Sequence, residues 1–298
     1  MNQDKRKIRE RVLRGLALNR TPGFHFPGNF LDVSFDRVGR GGVSLSVDPG
    51  PWCVDARGQV DLGALAMLAD LALGASIRAQ LSRETRVATV SLSLQFTGAA
   101  RAGRLRAQGE FQSFFEHGAG RLGLGRVSVT GSAGQICYGA GSFMALAPPK
   151  NVTLYPVPLR KRNSPVPPLL SEGDLNPAER KILRQADAAL DSGGNFVANF
   201  WGGRGVLRNG LHVGNRVGHA QGGILIALAA KSAAAKLSGA WRLSGVTALF
   251  ISPGEGGSLR ARSSVVHQGR LTAVVNTNVI GRNGRRVLEV VTAHNAAI

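Results

Sequence analysis

The chain has 298 residues, with 37 Lys and Arg against 18 Asp and Glu, for a net charge of +19. A hydrophobic share of 43% supports sizeable cores and excludes general disorder, and the length allows about two domains. The charge asks for a polyanionic partner, for which nucleic acid, an anionic membrane and a phosphate-bearing small molecule all qualify; the two cysteines, Cys53 and Cys137, exclude a disulfide-rich scaffold and a cysteine-built zinc site.

In chain order, residues 4 to 17 predict a charged amphipathic helix, with Ile8, Val12, Leu13 and Leu16 on its apolar side. Its early charges stand where a signal peptide would turn apolar, so no such segment is expected here. A two-strand pattern follows over Phe30 to Val47. Residues 62 to 81 predict a helix that is apolar nearly all round and therefore buried. It is too short to span a membrane and carries Asp70. Alternating strands then turn at Gly-containing hairpins, which make an antiparallel sheet. Ala147-Pro148-Pro149-Lys150 opens a basic, Pro-rich extended linker that continues through Pro156, Pro158, Pro165, Pro167 and Pro168.

Beyond the linker the order repeats. Residues 176 to 191 predict a second charged helix, Asn195 to Val213 a second strand pair, and 222 to 237 a second apolar helix. Asp55-x-x-Gly58-x-x-Asp61-Leu62-Gly63 is answered 160 residues later by Asn215-x-x-Gly218-x-x-Gln221-Gly222-Gly223. Gly103-Arg104-Leu105-Arg106-Ala107 is answered by Gly257-Ser258-Leu259-Arg260-Ala261, and the turn Gly131-Ser132-Ala133-Gly134 by Gly281-Arg282-Asn283-Gly284. Matches in the same order identify an internal repeat. Each unit is α+β, one helix wrapped by one antiparallel sheet, and two such units should pair about a pseudo-two-fold axis. The expected organisation is a unit over 1–148, a linker over 149–175 and a unit over 176–298.

These motifs resemble the hotdog fold, and specifically the PaaI-like acyl-CoA thioesterases, over roughly residues 25 to 148 and 195 to 298. That family carries Asn-x-x-Gly-x-x-His-Gly-Gly before the central helix and an Asp eight residues after the first Gly of the pair. The second half keeps Asn215, Gly218, Gly222 and Gly223, has Gln221 in place of His, and has Ala230 in place of the Asp. The first half keeps the carboxylate as Asp70 but has Asp55, Asp61 and Leu62 where Asn, His and Gly belong. The resemblance implies a double hotdog in which one site combines the loop of one half with the Asp of the other. The reciprocal site, pairing Leu62 with Ala230, is expected to be dead.

Thioester hydrolysis needs a polarised carbonyl and an activated water or nucleophile. Gly222 and Gly223 begin a helix, where N–H groups lack internal partners and the dipole favours negative charge. Asp70 would act as general base or as nucleophile. Asn215 would orient water or thioester, although a turn Asn explains the same position. Gln221 keeps a side-chain donor but does not titrate, and His219 reads as a solvated loop residue. Thr89 opens the strand after the first helix, where relatives hold the water. Arg101 and Arg104 are the candidates for coenzyme A phosphates, with Arg78 and Arg260 weaker.

The expected substrate is an acyl-CoA or acyl-carrier-protein thioester, in the cytoplasm, with no metal and no cofactor beyond the coenzyme A of the substrate. No zinc-finger spacing or aromatic RNA-binding motif points to nucleic acid. The internal pseudo-dimer leaves a further homodimer open. The rival readings are a hydratase or dehydratase on the same fold, faintly echoed by His219 and Gly223, and a non-catalytic acyl-CoA or lipid-binding module.

Overall fold

The computed structural model describes residues 3–82, 85–117, 120–147, 153–203 and 205–297. In the first half, helices α1 (Gln3–Asn19) and α2 (Phe26–Leu31) precede strands β1 (Ser34–Gly39) and β2 (Gly42–Val47). The central helix α3 (Leu62–Arg78) follows, then β3 (Arg86–Phe96), β4 (Leu105–His117), β5 (Gly120–Gly131) and β6 (Gly134–Leu146). The second half runs α4 (Pro177–Asp191), α5 (Phe196–Phe200), β7 (Val206–Arg208), α6 (Gly222–Ala234), β8 (Trp241–Phe250), β9 (Ser258–Gln268), β10 (Thr272–Ile280) and β11 (Arg286–Ala296).

All eleven strands form one antiparallel sheet in the order β1-β2-β4-β5-β6-β3-β8-β11-β10-β9-β7. The halves join edge to edge where β3 pairs with β8, Ser91 opposite Leu249 and Gln95 opposite Gly245. A sheet edge that each half alone would leave unpaired is thereby covered. The order of strands is the same outward from this junction on either side, with β1 the extra strand of the first half. Helices α3 and α6 pack against each other on the inner face of the sheet. Gly223 makes that contact close: a Cβ there would stand 2.6 Å from Met67 Cα.

The loops before the two central helices fold alike. Gly58 and Gly218 both have positive φ, at 71° and 84°, so each position needs glycine. Asp55 Oδ1 accepts from the amides of Arg57 and Gln59 at 2.9 Å. Asn215 Oδ1 accepts from those of Val217 and His219 at 3.0 and 3.1 Å. Asp61 and Gln221 then cap their helices, accepting from Gly63 N at 2.8 Å and Ile224 N at 3.2 Å.

Two expectations are corrected. The region 195–213 is not a strand pair: Asn195 caps the short helix α5, and only β7 is a strand. Phe196 and Phe200, four residues apart, share a helix face and pack on Phe30 with ring centroids 6.2 and 5.7 Å apart. Burial of that face decides for helix. Likewise Phe30 lies in α2 and not in the first strand, because His25 caps the helix start and Pro27 suits its first turn.

Residues 148 to 152, where the linker opens, lie outside the described residues. From 153 to 170 the chain runs without helix or strand as a strap along the first half. Phe35 N donates to Arg160 O at 2.8 Å, Arg160 pairs with Asp32 at 3.3 Å, and Arg162 with Asp48 at 3.1 Å. Helix α1 and the residue just beyond it are met by acids from the linker's end and from α4: Arg9 with Glu172 at 2.7 Å and Asp187 at 3.1 Å, and Arg20 with Glu179 at 2.8 Å. Part of the positive charge is thus spent between the halves and within the strap.

Candidate active site

Asp70 lies in the apolar helix α3, where an isolated carboxylate would be costly. It is held from two sides. Thr89 Oγ1, on β3, donates to Asp70 Oδ1 at 2.9 Å, and Gln221 Nε2, from the other half, donates to Asp70 Oδ2 at 3.1 Å. The cap explains the orientation of Gln221: its Oε1 is taken by Ile224 N, so its NH2 faces the carboxylate. Burial pushes the Asp70 carboxyl up to about 6, against the two hydrogen bonds, which pull it down. The group is therefore ionised at neutral pH yet more basic than an ordinary carboxylate.

Gly222, the first residue of α6, lies beside this carboxylate; a Cβ there would sit 3.5 Å from Asp70 Oδ2. Gln221 caps the amide of Ile224 and leaves that of Gly222 with no acceptor among the described residues. An uncapped N–H at a helix N-terminus next to a carboxylate combines an anion-stabilising donor with a base. Asp70, Thr89, Asn215, Gln221 and Gly222 all line one cavity of about 400 Å³, within the size range of small-molecule sites.

Three expected site residues are elsewhere. Gly223 does not line the cavity; it is spent on the close contact with Met67 of α3. Arg101 and Arg104 do not line it either. Arg101 Nε donates to Val60 O at 2.9 Å, bracing the first half's own loop. Arg104 is tied to Ser46 at 2.6 Å and Asp36 at 3.3 Å. Arg101 is thus held at the first half's own loop and Arg104 at strands β1 and β2, both away from the cavity. Asn215 is at the cavity, but its carbonyl oxygen is committed to its own loop, the same work Asp55 does in the other half.

Other residues take their places. His219 is not a solvated loop residue: it lines the cavity, with Nε2 3.0 Å from Glu255. His25 lines it too, its imidazole pushed down to about 3 by burial and by the charge of Arg216. Arg78, Arg86 and Arg216 complete the polar wall, and Leu154 and Val157 of the strap close it. Arg216 lay inside the recognised loop motif, and Arg86 three residues before Thr89; their positions were readable, their common direction was not.

The reciprocal position is filled. Leu62, Ala227 and Ala230 form a buried apolar cluster with Phe96 and Leu243. Asp61, the counterpart of Gln221, faces Lys231 at 3.1 Å instead of a carboxylate. Among the described residues no group of His, Cys, Asp or Glu suits a metal, and no helix is long and apolar enough to cross a membrane.

Residues 213–295 match the family described as the acyl-CoA thioesterase N-terminal domain. No curated protein matches the chain in sequence. Among solved structures, a protein described as an oleoyl thioesterase from Lactobacillus plantarum is similar at 10% identity and TM-score 0.55, covering 85% of this chain and 94% of its own. The TesB protein of Mycobacterium avium subspecies paratuberculosis is similar at 12% identity and TM-score 0.52, over 89% of this chain and 96% of its own. A hot dog fold protein of unknown function from Alicyclobacillus acidocaldarius is similar at 10% identity and TM-score 0.51, over 89% and 96%. Identities this low establish the fold alone. The chain is a double hotdog of α+β class. Within it, residues 213–295 of the second half match the acyl-CoA thioesterase domain family.

Proposed function

We propose that the chain hydrolyses an acyl thioester of coenzyme A or of acyl-carrier protein at a single composite site between its halves. The observation that carries this reading is the buried Asp70 of one half, bonded to Gln221 of the other and flanked by the free amide of Gly222. The thioester oxygen would take the Gly222 N–H at the N-terminus of α6, where negative charge develops as the carbonyl is attacked. The ionised Asp70 would then either take a proton from the attacking water or attack the carbonyl itself, forming an anhydride that water cleaves. Both routes release the thiol and the acid. Thr89 and Gln221 fix the carboxylate for either route. The reading requires no metal and no cofactor besides the substrate's own coenzyme A.

The test is a thiol-release assay over short, long and aryl acyl-CoAs, with Asp70→Asn as control. Activity of wild type that Asp70→Asn leaves unchanged sinks the reading. The pH profile supplies a second check. Because burial raises Asp70 to about 6, kcat should climb through that region as the carboxylate ionises, and the limb should vanish in any residual activity of Asp70→Asn.

The single-site assignment is tested by moving the carboxylate. In an Asp70→Asn background, Ala230→Asp should restore nothing, because Leu62, Phe96 and Leu243 fill the space a substrate would need. Recovered hydrolysis would show that the reciprocal position is competent.

A further inference from the structure

Several partly buried arginines have a carboxylate partner. Arg11 lies 3.0 Å from Asp32, Arg104 3.3 Å from Asp36, and Arg160 3.3 Å from Asp32. Arg78, Arg86 and Arg216 differ: all three line the cavity, and none has a carboxylate within 4.0 Å among the described residues. Asp70 is the only carboxylate lining the cavity among those residues, and it is engaged by Thr89 and Gln221. The side chain of Arg86 has a buried Nε with no hydrogen-bond partner. Among the described residues, Arg216 reaches a backbone carbonyl of the strap, that of Tyr155, and Arg78 that of Thr85 at 3.5 Å, with no other side-chain hydrogen bond. Desolvation pushes Arg78 down to about 10, with the charge of Arg216 adding to it. Three unneutralised, partly desolvated cations in one cavity are costly without an anion among them.

Their placement also has a direction. Arg78 stands eight residues beyond Asp70 on α3, about 12 Å along the helix axis. Arg86 stands three residues before Thr89 on β3, about 10 Å along the strand. Asp70 meets Thr89, Gly74 faces Val87 and Arg78 reaches Thr85, so α3 and β3 run antiparallel and both displacements go the same way. Arg216 approaches from the loop of the other half.

We propose that Arg78, Arg86 and Arg216 form an anion subsite at the strap end of the cavity. It takes a negatively charged group carried on an arm of about 10 to 12 Å from the carbonyl that Asp70 and Gly222 address. The position of that carbonyl rests on the thioesterase reading; the subsite itself does not. A phosphate on the pantetheine arm of the thiol carrier and the far carboxylate of a dicarboxylic acyl group share the required chemistry. Arginine suits both through paired N–H donors.

The test uses the full chain. Calorimetric titration measures binding of inorganic pyrophosphate and of suberate to wild type, Arg86→Gln and Arg86→Lys, each checked for unchanged melting. At least one of the two anions should bind wild type. Arg86→Gln should weaken it about tenfold or more, the scale of a lost charge-assisted hydrogen bond, and Arg86→Lys should retain part of the affinity. If neither anion binds, or if Arg86→Gln leaves binding as it was, the subsite is overturned. Kinetics then identify the source. A KM increase in Arg86→Gln for octanoyl-CoA but not for the octanoyl thioester of N-acetylcysteamine supports the carrier phosphate. An increase for the suberyl thioester of N-acetylcysteamine, absent for the octanoyl one, supports the acyl carboxylate. An equal change for all three thioesters overturns the proposal. Arg86-dependent anion binding without hydrolysis of any thioester leaves the subsite standing and removes the thioesterase reading instead.

Discussion

Asp70→Asn is expected to lose hydrolysis and gain stability at neutral pH. The amide has nearly the carboxylate's shape, so the packing of α3 is kept, but it neither takes a proton nor attacks. Losing a positioned base costs about 10²- to 10⁴-fold in rate. The stability change follows from the pKa. Folding raises Asp70 from 3.8 to about 6, so between those pH values the folded state holds a proton that the unfolded state has released. Stability from this group is complete below pH 3.8 and declines as pH rises toward 6. The shift corresponds to about 3 kcal/mol of cost at neutral pH. Asp70→Asn removes that cost and with it the pH dependence between 4 and 6. Chemical denaturation at pH 4 and pH 7.5 measures both. A variant that is inactive and less stable than wild type at pH 7.5 would mean the carboxylate is a structural anchor.

Gly223→Ala is the second large effect, and it should act through folding. A new Cβ would collide with the backbone of α3 at Met67 and Ala66. Backbone in a packed helix yields less than a side-chain end, so α3 and α6 must separate. Overpacking of this kind costs about 1–3 kcal/mol and occasionally more. Because both helices carry site residues, separation also lengthens the Gln221–Asp70 bond. Melting temperature and kcat should fall together, whereas the counterpart Gly63→Ala should be milder, since its Cβ would meet side-chain atoms at 3.1 to 3.3 Å. Equal tolerance of both variants contradicts a glycine-limited helix contact.

The sequence carried the parts of this fold that repeat. The loop pair Asp55-x-x-Gly58 and Asn215-x-x-Gly218 was readable because each half constrains the other, and the complementary loss of carboxylate and loop motif pointed to a shared site. Gln221, Asp70, Thr89 and Gly222 lie together at one cavity. What failed was of a different kind. The segment around Phe196 is apolar enough for a strand, and only its packing on Phe30 selects a helix. Gly223 resembles a site glycine locally, but its use is decided by the distance to a helix 156 residues earlier in the chain. Arg101 and Arg104 were placed by the position of relatives' contacts, without knowing which side of the pseudo-dimer that turn faces. The wall formed by Arg78, Arg86 and Arg216 comes from three elements and two halves, a juxtaposition that local pattern does not encode.

The edge-to-edge junction of β3 and β8 has a consequence for how such a protein can diverge. In a symmetric dimer every substitution is made twice, once at each of two identical sites, and a change that helps one role harms the other equally. Covalent fusion ends that duplication. Asp61 and Gln221 occupy matching places, yet one faces Lys231 and the other faces Asp70. One place closes an ion pair in a packed interior and the other borders the cavity. With one place filled by packing, the strap lies at the other, where Leu154 and Val157 line the cavity.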